Sequence, residues 1–267
     1  MNNQPTKGVL EKLDGGQEFF FKFSRCLQKL DFKDFSLGVM YKFLVQTLTL
    51  VATLLPIKIL LFLAPNRNVP EILVEFFDTK SQFVISLCFL MFVFMFLAYV
   101  FSKLAARITK IKVNKIVNMS KVKIAKHKTR KTIDNCMMIC SSGLFLVCCM
   151  VLEIIIYIDL VFILVVVLLI TFVVFSAEKN NKISVLKTIA IPPYKLFSNI
   201  AQVLFIGSFL FIVYDVLVNE VHRSFIELIV GLILLRQSST LISKICSSLV
   251  ELGSNKGLSL SLIKAVE

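Results

Sequence analysis

No Gly-Lys dipeptide occurs anywhere in the 267 residues, so the chain has no phosphate-binding P-loop and no ATPase of that class. Its two histidines, His127 and His222, are isolated from other ligand-type side chains, which leaves no zinc site and no catalytic triad to assemble. No pair of catalytic residues converges in the apolar segments either, and the chain is not read as an enzyme. No lipidation motif is present, and the first 35 residues are too polar for a signal peptide, so the first apolar segment is expected to be retained. The seven cysteines fall in or beside apolar segments and none in an expected outer loop, so no disulfide framework is inferred. Acid is missing from Lys103 to Lys131, where 11 basic residues stand alone, and so are aromatic rings on which bases could stack; no nucleic-acid partner is expected.

What is abundant is apolar surface. Hydrophobic residues make up 57% of the chain, and the mean hydropathy is +0.84, far above the value for a domain with a polar exterior. A helix needs about 20 mostly apolar residues to cross a hydrocarbon core of about 30 Å. Six stretches qualify, near 37–64, 82–102, 133–153, 158–176, 197–218 and 225–249. The third and fourth nearly fuse, with Glu153 and Asp159 the only charges between Met137 and Ser176. A tight outer turn is expected there, its polar groups at the interface where backbone finds water.

Charge sets the direction. With the N-terminus inside, 26 of the 30 Lys and Arg fall on the inner side, a positive-inside asymmetry that places both termini in the cytoplasm. The expected class is thus an all-α integral membrane protein of six transmembrane helices, multi-pass in a cell membrane of the bacterial inner-membrane kind. Residues 1–35 form a cytosolic N-terminal segment, 36–252 the transmembrane domain and 253–267 a short cytosolic tail.

Several local patterns add to this frame. Within 18–32, Phe19, Phe23, Leu27 and Leu30 recur at helical spacing with basic residues opposite, as in a helix lying on the inner membrane surface. A soluble helix against a partner fits the same pattern. Gly15-Gly16 upstream suits a hinge, and Pro56 suits a kink in the first span. Beyond the second span the chain is expected to stay helical, turn near Val117 to Ser120 and return as a helix. Leu241, Ile245, Leu249 and Leu252 carry a helical stripe past the end of the sixth span to a cap at Gly253.

Two groups of residues are candidates for function. Arg236 lies nine positions inside Glu227, about 14 Å along a helix, where a guanidinium must be paired, face water or snorkel. With Gln237 and Thr240 it marks a substrate path or an intramembrane polar site; Asp215 reaches it only if the two helices pack at different depths. The basic residues Lys110, Lys112, Lys115, Lys121, Lys123, Lys126, Lys128, Arg130 and Lys131 suit anionic lipid or an acidic cytosolic partner, and equally suit topology alone. Asp134 reads as the cap of the third span. Cys136, Met137, Met138 and Cys140 are soft ligands at helical spacing, yet have no partner cluster on another span and read as apolar filling. No metal or cofactor is expected.

The order of parts (surface elbow helix, kinked first span, basic inner extension, tight outer turn) resembles the six-helix transmembrane domain of ABC exporters. The closest local likeness is Phe225 to Leu252, FIELIVGLILLRQSSTLISKICSSLVEL, which is similar to the sixth helix of that family. The resemblance implies a homodimer around a central path, with the inner extensions touching a separate ATPase. Ala177 to Leu196 is only 20 residues, where the family usually has a longer second inner excursion. The expected function is therefore the membrane subunit of an exporter-like assembly. The alternative is a non-transporting anchor or effector, for example in stress or phage defence, that recruits a cytosolic partner through the basic loop.

Overall fold

A computed structural model describes residues 9–63, 79–119, 126–156, 158, 161–162, 165–166, 193–218 and 225–254, and every one of them except Thr79 is helical. The elements are α1 (Val9–Leu63), α2 (Lys80–Met119), α3 (Lys126–Ile156), α4 (Pro193–Val218) and α5 (Phe225–Ser254). Proline at the first position of α4 lacks only a donor that a helix start leaves free. α1 packs against α2, α3 and α5, while α5 also packs against α3 and α4, so α1 and α5 form the centre of the bundle.

Four of these helices contain stretches long and apolar enough to cross a membrane: Phe32–Leu63, Lys80–Asn118, Lys126–Ile156 and Glu227–Ser254. The chain is a multi-pass membrane protein. The expected fifth span falls on α4, whose described apolar stretch is the shorter Ser198–Tyr214. Of the expected fourth span, 158–176, all but a few residues lie outside the described ones, as do Asp159, the segment 177–192 and the tail from 255 on.

α2 shows how the fold solves the solvent problem. Ile85, Phe89, Phe92, Phe96 and Tyr99 recur every three or four residues and are each at least 59% exposed. Phe83, Leu87, Ala98 and Ala105 sit on the opposite face and are buried. In water the outer row would be an aggregation surface; in lipid it is solvated.

At 55 residues, α1 runs about 80 Å, far more than a hydrocarbon core of about 30 Å. Its start continues into a bundle at the basic end. There Phe19 and Phe23 of α1 meet Val113 and Ile116 of α2, Ile133 and Met137 of α3, and Leu249 and Leu252 of α5. The Glu18 to Phe32 stretch is thus part of α1, not a separate surface helix, because α2, α3 and α5 overrun the apolar layer at the same end. Their side chains cover Phe19 and Phe23, which lipid was expected to cover, while the side chains of Leu27 and Leu30 lie outside the described residues. Gly15-Gly16 makes no hinge: the helix is continuous through both, and Gly16 lies directly against the backbone of α5 at Leu249. The helix also continues through Pro56.

The hairpin expected after the second span is present, with α2 ending at Met119 and α3 starting at Lys126. Glu153 to Ile156, where the tight turn was expected to start, are still in α3, and the rest of that turn, 157 and 159, lies outside the described residues.

Candidate functional site

α3 carries a polar row through its apolar length. Asn135 and Ser142 are two turns apart and Glu153 follows three turns later, so all three turn toward α1 and α5. Each finds a partner on another helix. Asn135 Nδ2 donates to Glu251 Oε2 at 3.2 Å, and Lys131 pairs with the same Glu251 carboxylate. Gln46 Nε2 donates to Ser142 Oγ at 2.9 Å. Ser238 Oγ donates to Glu153 Oε1 at 2.7 Å.

Glu153 is the outlier of this row. Its side chain is 0% exposed, and its second oxygen has no hydrogen-bond partner among the described residues. The polar group expected to meet water in the outer turn instead faces inward between α3 and α5, bonded to Ser238 and one turn from Cys149, which is buried with Leu234 and Leu241. A hydropathy reading takes a charge in an apolar run as a boundary; the helix instead turns that charge onto its packed face.

Lys42 and Asp134 form the second notable contact. Lys42 Nζ donates to Asp134 Oδ1 at 2.7 Å and to the Asp134 carbonyl oxygen at 3.0 Å. Asp134 lies eight residues inside α3, so it ties α3 to α1 and does not cap its helix. The Lys42 side chain is 16% exposed and that of Asp134 47%, which makes the pair asymmetric. Asp134→Ala leaves a mostly buried ammonium with the backbone carbonyl but no counter-charge, and is expected to cost about 1–3 kcal/mol. Lys42→Ala leaves a carboxylate that reaches solvent and is expected to cost less than about 1 kcal/mol. Thermal unfolding of the purified variants in detergent checks the order.

No protein family, characterised protein or solved structure matches the chain.

The function must therefore be read from its own geometry, and that geometry splits the residues singled out by sequence. Arg236 and Thr240 line one cavity of about 530 Å³ between α4 and α5, together with Gln202, Phe205 and Ser243. The Arg236 guanidinium is exposed and stands 6.0 Å from the centre of the Phe205 ring, a cation–π contact. Gln237 does not line that cavity. The hydroxyls of Ser239 and Thr240 donate to the Arg236 carbonyl at 2.9 and 2.8 Å, so they are satisfied within their own helix. Asp215 has its side chain outside the described residues.

The basic residues are not one uniform patch. Lys110, Lys115, Lys126, Lys128 and Arg130 are exposed, whereas Lys112 is 3% exposed. Its ammonium lies 5.5 Å from the Phe35 ring centre. Lys131 is committed to Glu251, and Lys121 and Lys123 lie outside the described residues. Arg130 and Lys131 also line a second cavity, of about 760 Å³, at the basic end. Among the described residues no three His, Cys, Asp or Glu side chains converge as a metal set would. Met137, one of the soft residues, is buried and accepts a contact from Thr109 Oγ at 3.7 Å.

The contacts of Glu153 with Ser238 and of Lys42 with Asp134 are what sequence reasoning missed. The available signal was spacing, since Asn135, Ser142 and Glu153 share a helical face that the search for apolar runs did not weigh.

Proposed function

We propose that this chain is the membrane-spanning subunit of an exporter-like transport assembly driven by a separately encoded ATPase. In this reading the basic end and both termini are cytoplasmic, 158–176 supplies a further span, and two copies surround a path. The observation that carries it is Glu153. A carboxyl group enclosed within a membrane-spanning segment, with one hydrogen bond and no cation paired to it among the described residues, is costly for an inert bundle. Such groups persist where a substrate or ion uses them. The exposed Lys110 and Lys128, on the two helices that project from the basic end, are the docking charges for the driving protein.

A second reading, the non-transporting anchor, draws support from the basic end itself. Lys42–Asp134 and Lys131–Glu251 tie α1, α3 and α5 together there, as a permanently closed bundle would require.

Purification from native membranes in mild detergent separates the two. The transport reading expects an ATPase to accompany the tagged chain, and Lys110→Glu with Lys128→Glu to remove it while the chain still inserts. A partner without ATPase activity selects the anchor, and an assembly with no ATPase overturns the transport reading.

A further inference from the structure

The cavity at the basic end has a composition that neither the helical frame nor the transport reading uses. It opens between α2 and α3 with α1 behind it, because α2 presents Ser102, Ala105 and Ala106 there and leaves the space between the helices unfilled. At about 760 Å³ it falls within the range of small-molecule sites. Two of its cations are already matched inside the protein, Lys42 by Asp134 and Lys131 by Glu251. Arg130 and Lys244 are not: both are exposed, and neither side chain forms an ion pair among the described residues. His127 lines the same space. The cavity thus carries an excess of about two positive charges, on a wall that also holds the apolar Val45, Ala106 and Met138.

Its position bears on the occupant. The exposed apolar row of α2 ends at Tyr99, and the cavity begins at Ser102, less than one turn further on. Charged lining therefore starts where the lipid-facing surface stops, and basic pockets between spanning helices at that depth suit anionic head groups.

We propose that this cavity binds a phosphate-bearing anion, its charged group facing Arg130 and Lys244 and its apolar part against Val45, Ala106 and Met138. The phosphate belongs either to a membrane phospholipid or to a soluble compound; the amphiphilic wall favours the lipid. The proposal holds whether or not the chain transports anything.

The test uses the full chain purified in neutral detergent, titrated with phosphatidylglycerol, phosphatidylcholine and inorganic phosphate, with bound ligand read by native mass spectrometry. Phosphatidylglycerol is expected to bind about 30-fold more tightly than phosphatidylcholine, equivalent to about 2 kcal/mol for two cations. Arg130→Gln with Lys244→Gln is expected to abolish that preference. Lys103→Gln with Arg107→Gln removes the same charge from exposed positions of α2 outside the cavity, and is expected to keep it. Displacement of the lipid by millimolar phosphate, lost in the cavity variant, assigns the site to a soluble phosphate; no displacement assigns it to the lipid. A cavity variant that retains the preference, a control that loses it equally, or a wild type with no preference and no phosphate binding overturns the proposal.

Discussion

Replacing Gly16 by valine will peel the start of α1 from the end of α5 while leaving the spans in place. A Cβ atom at Gly16 would lie 1.9 Å from the carbonyl oxygen of Leu249 and 2.7 Å from its carbonyl carbon. Both are backbone atoms inside a helix, so neither can swing aside as a side chain would. Phe19 and Phe23, one and two turns further along α1, are 6% and 0% exposed, and their burial depends on that close approach. Overpacking of an adaptable core costs about 1–3 kcal/mol; backbone against backbone belongs at the upper end. The expected result is a lower unfolding temperature in detergent and a new protease-sensitive site in the first turns of α1. Gly143→Ala is the matched control. Nothing lies within 4 Å of its added Cβ, and alanine is favoured over glycine in a helix by about 0.5–1 kcal/mol. Its unfolding temperature should hold or rise, and an equal loss in both variants would contradict the packing described.

The second large effect is an inversion. Ser238→Ala will destabilise the protein by about 1–3 kcal/mol, whereas Glu153→Leu, the more drastic change on paper, will be neutral or stabilising. Ser238 is the one hydrogen-bond donor that the buried Glu153 carboxyl has among the described residues. Removing it leaves both oxygens dry. Leucine at 153 removes the group that needs a donor, and the Ser238 hydroxyl can fall back on a carbonyl of the preceding turn, as Ser239 and Thr240 already do. Replacing buried polar pairs by packed apolar side chains often stabilises a fold. Unfolding in detergent gives the order of the two variants directly, and Ser238→Ala emerging as the milder change would refute the geometry.

Periodicity carried the legible part of this fold. The apolar stripe of α5 through Leu241, Leu249 and Leu252 runs past the end of a span because the helix has a second core to fill, and those side chains are buried. The α2–α3 hairpin was legible for the same reason, since charge without turn residues predicts a helix that leaves the membrane intact. What a search for apolar runs could not give was direction around each helix. It turned Glu153 toward water, read Asp134 as a cap and gave Phe19 and Phe23 to lipid, because in each case the partner is on a helix distant in sequence. Arg236 illustrates the converse. Its depth marked it out, yet it sits on the face of α5 toward α4, away from the Glu153 contact made two residues later by Ser238.

The most direct test of the proposed transport role is whether the chain purified from native membranes brings ATP hydrolysis with it, and how that hydrolysis compares between wild type and Glu153→Gln. Glutamine retains an oxygen for the Ser238 hydroxyl but cannot ionise or bind a cation as a carboxylate does. The account predicts that the ATPase still accompanies the variant while hydrolysis falls about tenfold, the size of an ordinary coupling between distant sites. Hydrolysis at the wild-type rate would contradict it.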